Sequence, residues 1–446
     1  MLYAINKIYL LASILLYLTL STKISGDYLL INLFALFSFI SYFGMLELNR
    51  TMEIKFYNNT RLIVEVFLYA FLFVFMENLI SYFYTDNFFV FSNSDAVFYH
   101  ESVIEIIDMP FIDGMKHYLK GMDFDDLGMI LILYPLYYVS ESNLMLNAFY
   151  IFVGILMALS LFSLSRQFMS RKYAFLASLS FSISSFMLFF HSIGLKESFM
   201  VMLVVVSFDF YYRFMIKKTI LNLMIALMFI GMLMLFRPAV SAMIIGAIGL
   251  GTLLSQKGGV GIKVVSFLIF AFLIIIGDAI LAEIDKYTTG GFDTLMEARE
   301  VQGMIIGGIP FTYAVNILSQ SVGPLPTVIS ETKVLTMLYT SGLIYRVLLA
   351  FPFWLGVIFI IKGKEAKLYP LIIFIIMEMT ALTFLMDGLE LRKALPHIPI
   401  VFVVAFWFLN QYDMKKIQFK NIKRFRWFFN TSLLVLTLLM FYWNFR

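Results

Sequence analysis

Residues 85–139 read TDNFFVFSNSDAVFYHESVIEIIDMPFIDGMKHYLKGMDFDDLGMILILYPLYYV, the longest polar interruption of an oily chain, followed at once by a short apolar run. Its first part, 85–128, carries nine carboxylates, two lysines and two of the four histidines. A chain that lives in lipid has little reason to hold so many ionisable groups in one connector unless that connector works at the membrane surface. The reading of 129–139 decides the topology of everything after it. The run is too short to cross about 30 Å of hydrocarbon as a helix and is broken by Pro135, which predicts a re-entrant or surface-lying segment.

Outward from this stretch, the composition assigns the solvent. The 446 residues are 61% hydrophobic and 14% charged, with mean hydropathy +0.89, far more apolar than a soluble chain. Uninterrupted apolar runs of roughly 17 to 23 residues exclude a β-barrel, whose strands alternate over about ten residues, and predict an all-α, polytopic helical membrane protein. The runs lie near 4–21, 28–47, 61–84, 143–165, 173–190, 198–215, 219–235, 239–255, 264–282, 339–361, 368–386, 396–411 and 427–443, thirteen expected transmembrane helices. The first has no small-residue cleavage site behind it and reads as a signal anchor. Without cysteine there are no disulfides, thiolate metal sites or cysteine nucleophile.

Lysine and arginine sort the connectors. Arg50, Lys55 and Arg61; Arg166, Arg171 and Lys172; Arg213, Lys217 and Lys218; Lys257 and Lys263; Lys362, Lys364 and Lys367; and the six basic residues of 415–426 fall on alternate connectors. With Lys7, 21 of the 33 basic residues then lie on one side, expected to be the cytoplasm of a bacterial inner membrane. The N-terminus is expected inside and the C-terminus outside. Two large outer, periplasmic loops follow, 85–142 and 283–338, within a single integral membrane domain 1–446.

The candidate chemistry is concentrated on the outer side. Glu101, Glu105 and Asp108 share one face of an amphipathic helix, whose solvated surface accounts for them. Asp95, beside Tyr99 and His100 in SDAVFYH, stands where a lipid-linked substrate would present its polar head; a helix N-cap is the alternative. His100 is a candidate acid or base. Asp123, Asp125 and Asp126 offer hard oxygen ligands that suit Mg²⁺ or Mn²⁺, although flexible acidic loops are usually just hydrated. Opposite the acids stand Lys196 and Glu197 in GLKES, Arg237 in FRP, Arg346 inside an apolar run, and Arg392, Lys393 and His397 in LRKALPHIP. Cations abutting hydrocarbon normally face a partner or a watery cavity, or snorkel to the interface. Several converging on one leaflet fit a phosphate or pyrophosphate clamp. Tyr99, Tyr118 and Tyr137 could stack on sugar rings. No P-loop, dinucleotide fingerprint, zinc spacing or nucleic-acid surface is present.

The order SDAVFYH, LILYPLYY, SLSRQFMSRKYAFLA, GLKES and FRP resembles bacterial polyprenyl-linked glycosyltransferases of the GT-C type, and is most similar to O-antigen and capsule repeat-unit polymerases (Wzy-type). The resemblance covers 85–240 and, more loosely, 386–400. It implies an acidic residue in the outer loop that activates the acceptor or organises a metal, matched here by Asp95, and outer cations that hold the lipid phosphate, matched by Lys196 and Arg237. The large loop follows the third run, and no compact Asp-x-Asp accompanies Asp95; both depart from the family pattern. The function expected is polymerisation of undecaprenyl-diphosphate-linked oligosaccharide repeat units at the outer face, alongside a flippase and a chain-length regulator. The alternatives are a transferase that uses a polyprenyl-monophosphate sugar, and a lipid-linked oligosaccharide flippase. A flippase should place its charges in a cavity reachable from both sides, whereas here they sit on one leaflet.

Overall fold

A computed structural model describes residues 1–22, 26–52, 57–86, 95–120, 126–255, 263, 297, 299–301, 305, 307–325, 336–385, 390–417, 419 and 421–445. Every regular element among them is helical. The reason is solvation: hydrocarbon offers no partner for backbone N–H and C=O groups, so each crossing segment must satisfy its own. The helices are α1 (Leu2–Ser21), α2 (Leu29–Thr51), α3 (Asn59–Thr85), α4 (Asp95–Ile106), α5 (Phe111–Leu119), α6 (Leu127–Val139), α7 (Asn143–Arg166), α8 (Arg171–Ser182), α9 (Ser185–Ser192), α10 (Glu197–Lys217), α11 (Ile220–Met234) and α12 (Pro238–Leu254). After a long interval come α13 (Ile309–Val322), α14 (Thr336–Lys362), α15 (Tyr369–Phe384), α16 (Leu391–Ala394), α17 (Ile398–Asp413) and α18 (Ile422–Phe445).

Eight of these helices are long and apolar enough to span a bilayer, and α8 with α9, bent by 48°, would make a ninth. The shorter apolar helices α6, α11, α12 and α17 fall below that length. Twelve of the thirteen expected runs coincide with described helices; 264–282 lies outside the described residues, as do Asp123, Asp125 and most of 283–338. Side-chain patterns show which faces meet lipid. On α3, Phe67, Leu68, Phe71, Leu72 and Phe75 are exposed while Leu62, Val66, Ala70 and Phe73 are buried.

The α8–α9 break is held by specific contacts. Ser184 Oγ donates to Phe181 O at 2.6 Å, and the backbone N–H of Gly342 on α14 donates to Ser185 Oγ at 2.8 Å. A Cβ at Gly342 would stand 2.7 Å from the Phe186 ring, so only glycine lets α14 approach the break this closely.

The hydrogen bonds between helix ends sort the connectors as the basic residues predict. Lys172 Nζ donates to Arg50 O at 2.9 Å, Ser170 Oγ to Asn410 Oδ1 at 2.6 Å, Gln167 Nε2 to Asp209 Oδ1 at 3.3 Å, and the Tyr212 hydroxyl to Lys367 O at 2.6 Å. These bonds tie together the connectors expected inside, hereafter the basic end. At the other end, hereafter the loop end, the Tyr84 hydroxyl donates to Asp27 O at 2.7 Å, and Arg299 Nε to Leu385 O at 3.0 Å.

Helix α6 has both its ends at the loop end. Asp126, just before it, meets Lys196 at the start of α10, while Ser142, just after it, caps the start of α7 through Leu144 N. Thirteen residues at about 1.5 Å each give about 20 Å, short of the hydrocarbon thickness. Reporter fusions at Gly128 and at Glu141 are therefore expected to report the same side of the membrane. Opposite sides would mean that α6 crosses and would invert every connector after it.

Candidate active site

The loop end gathers six of the ionisable or hydroxyl residues singled out in the sequence. Asp95 opens α4, and one turn on, along the same face, is Tyr99. The Tyr99 hydroxyl donates to Asp126 Oδ1 at 2.6 Å, and Lys196 Nζ lies 2.5 Å from the same oxygen. From α16, Arg392 reaches two carboxylates: Nη2 lies 2.5 Å from Asp95 Oδ2, and Nε donates to Glu197 Oε1. Three carboxylates thus face two cations on a shelf graded in depth. Glu197 is 1% exposed, Arg392 25% and Asp95 42%, so the buried carboxylate fixes the guanidinium and the guanidinium presents the outer carboxylate.

The electrostatics follow this gradient. Burial alone would lower the Arg392 pKa, but Glu197 and then Asp95 more than offset it, so the guanidinium stays charged. Burial, with the hydrogen bond to Asp126 behind it, pushes the Tyr99 phenol well above its usual range and keeps it a proton donor. His100 lies 100° further round α4 and faces away from the shelf. Its Nδ1 is 2.8 Å from the Tyr137 hydroxyl on α6, and burial lowers its pKa against the opposing pull of Glu141 and Glu101.

The remaining candidates are placed elsewhere. Lys393 lies 3.1 Å from Glu390. His397 Nδ1 lies 3.3 Å from Glu378 Oε2, with both side chains buried and Arg237 within electrostatic range of the carboxylate. Arg346 is fully buried ten residues into α14, deeper than a snorkelling residue. Its Nη1 donates to Val322 O at the end of α13 at 3.3 Å, while Nε and Nη2 make no hydrogen bond. Arg237 likewise has no ion pair or side-chain hydrogen bond among the described residues. Of the cations expected to form the clamp, Lys196 and Arg392 are paired with carboxylates, and the donors left unused belong to Arg237 and Arg346. No group of three metal-ligating side chains occurs among the described residues.

Three partners escaped the sequence reading. Asp126 stood out only as a member of an acidic run suited to Mg²⁺ or Mn²⁺ or simply hydrated, and nothing local pairs it with Lys196. Glu378 in IIFIIMEMTAL and Glu77 in FMENLIS did carry a signal, a lone carboxylate inside an apolar run, which normally has a buried partner. Those partners are His397 and, through its hydroxyl, Ser192.

The arrangement of the bundle has a counterpart among solved structures. The crystal structure of the Archaeoglobus fulgidus oligosaccharyltransferase in its apo form superposes with a TM-score of 0.50 at 15% identity, over 87% of this chain and 55% of that one. The fold is GT-C-like. Its eight membrane-length helices make the chain a multi-pass membrane protein, and it spans about half the length of the chain it matches. No protein-family model and no curated protein matches the sequence.

Proposed function

We propose that this GT-C-like protein is a membrane glycosyltransferase that polymerises undecaprenyl-diphosphate-linked repeat units of a surface polysaccharide, an O-antigen or capsule, at the outer face of the bacterial inner membrane. Its N-terminus would then be cytoplasmic, and a flippase and a chain-length regulator would be its functional neighbours. The observation that carries this reading is the shelf itself: a partly exposed carboxylate, Asp95, oriented by Arg392 from behind, at the same end of the bundle as Arg237, whose donors are unused.

In this reaction an acceptor hydroxyl attacks the anomeric carbon of the donor glycan, the bond from that carbon to the diphosphate oxygen breaks, and the hydroxyl proton must be accepted. Asp95 accepts that proton. Tyr99, buried and donating to Asp126, holds the shelf from within, and Lys393 follows Arg392 on α16. Negative charge that develops on the departing diphosphate is met by Arg237, whose guanidinium fork matches phosphate oxygens, with Lys196 and Arg392 exchanging carboxylate partners as the donor enters and the buried Arg346 adding its charge from deeper in the bundle. Glu197 and His397 position this cationic set. Mg²⁺ or Mn²⁺ would add further charge neutralisation if the outer-loop carboxylates recruit it, and a chelator arm belongs in every assay.

Arg237→Ala and Lys196→Ala are each expected to lower transfer by about a hundredfold or more, the effect of losing one preorganised donor to a developing anion. The full chain should remain in the membrane at wild-type abundance. Loss of the protein itself would instead assign these cations to packing.

A further inference from the structure

At the basic end, far from the shelf, α10, α12 and the 3₁₀ turn Ala366–Leu368 enclose a cleft of 510 Å³. Lys218, Lys364 and Lys367 stand around its mouth, and Tyr211, Met215 and Pro370 line its interior. The local backbone builds it. Lys218 ends α10 in a left-handed conformation, φ 56°, its N–H closing on Phe214 O, and Lys364 repeats the device, φ 52°, after α14. The Tyr212 hydroxyl fastens α10 to Lys367 O, and the Tyr211 and Thr252 hydroxyls meet at 2.6 Å. A Cβ at Gly251 would stand 2.6 Å from Pro370, so α12 touches α15 there.

Charge sets this cleft apart from its surroundings. Elsewhere at the basic end Arg50 pairs with Glu47, Arg61 with Glu65 and Arg213 with Asp209. The three lysines of the cleft have no carboxylate partner among the described residues; even Glu365, beside Lys364, forms no ion pair with them. Lys218 Nζ has only the Phe214 ring, 5.8 Å away. The cleft lies where α10 and α12 end, and Ile216 beside it is 62% exposed.

We propose that this cleft binds the anionic headgroup of a membrane phospholipid, with its phosphate among Lys218, Lys364 and Lys367 and its acyl chains running along Met215 and Ile216. Unpaired ammonium groups between helix ends attract such headgroups, and the strength of attraction scales with their number. The inference is independent of the reaction at the loop end.

The test uses the full-length protein reconstituted in phosphatidylcholine vesicles, with spin-labelled phosphatidylglycerol and spin-labelled phosphatidylcholine as probes. The wild type should associate preferentially with phosphatidylglycerol. Combining Lys218→Asn, Lys364→Asn and Lys367→Gln should abolish that preference, each lysine contributing up to about fivefold; asparagine is chosen for the two left-handed positions. Ala366→Trp, which fills the cleft and leaves the charge unchanged, should abolish it as well. Neutralising Lys415, Lys416 and Lys423 instead should leave it intact. The proposal is overturned if the wild type shows no preference, if the cleft variants retain it, or if the control triple loses it equally. It is overturned too if inorganic phosphate at matched ionic strength displaces the lipid, which would assign the site to a free anion.

Discussion

Asp95→Asn is expected to lower glycosyl transfer by at least about a hundredfold, the lower range for loss of a positioned acid or base, while leaving the protein folded. Asparagine keeps the size of the side chain, accepts a hydrogen bond from Arg392 and caps a helix as well as aspartate does. What it removes is the charge and the ability to take a proton. The ion pair itself contributes little to stability, because Asp95 is 42% exposed and exposed pairs are worth about 0–1 kcal/mol. A large loss of turnover with a nearly unchanged melting temperature therefore separates chemistry from packing. Full activity in Asp95→Asn would remove Asp95 from the site and leave the shelf as a structural ion-pair network.

The second large effect falls on stability. Arg392→Met leaves Glu197, 1% exposed, without its guanidinium, and its second oxygen already has no partner. Removing one member of a buried pair typically costs about 3–5 kcal/mol because the remaining charge is stranded away from water. Thermal unfolding in detergent should show that loss for Arg392→Met, and most of it should return in the double variant Glu197→Gln/Arg392→Met. If the single variant melts like the wild type, the Glu197 carboxylate is reached by water and the graded shelf is not the support for Asp95 described above.

The contrast between these two residues shows what the sequence could convey. Apolar runs, Pro135 and the alternation of basic connectors are local or periodic signals, and they were sufficient for the helical bundle, its ends and the short α6. The individual site residues were legible as types: a carboxylate in a polar outer loop, cations where hydrocarbon should be. Their pairings were not, because each joins distant segments. Glu197 and Arg392 are 195 residues apart, and Asp126 and Lys196 are 70. No composition rule tells whether Lys196 meets a substrate phosphate or a carboxylate of its own chain; the placement of Asp126, just before α6, beside the start of α10 decides that. His100 shows the same limit at short range. It is adjacent to Tyr99 in sequence, yet helical geometry turns it away from the shelf and toward Tyr137.

We propose that this helical bundle forms glycosidic bonds by drawing whole repeat units from a diphosphate carrier, which the masses of its products reveal. Purified full-length protein incubated with a single undecaprenyl-diphosphate-linked oligosaccharide is predicted to yield a ladder whose rungs differ by one complete repeat unit, with one undecaprenyl diphosphate released per bond formed, and Asp95→Asn is predicted to yield none. A single added sugar drawn only from a polyprenyl-monophosphate donor would contradict the account. So would unaltered substrate that has merely changed leaflets.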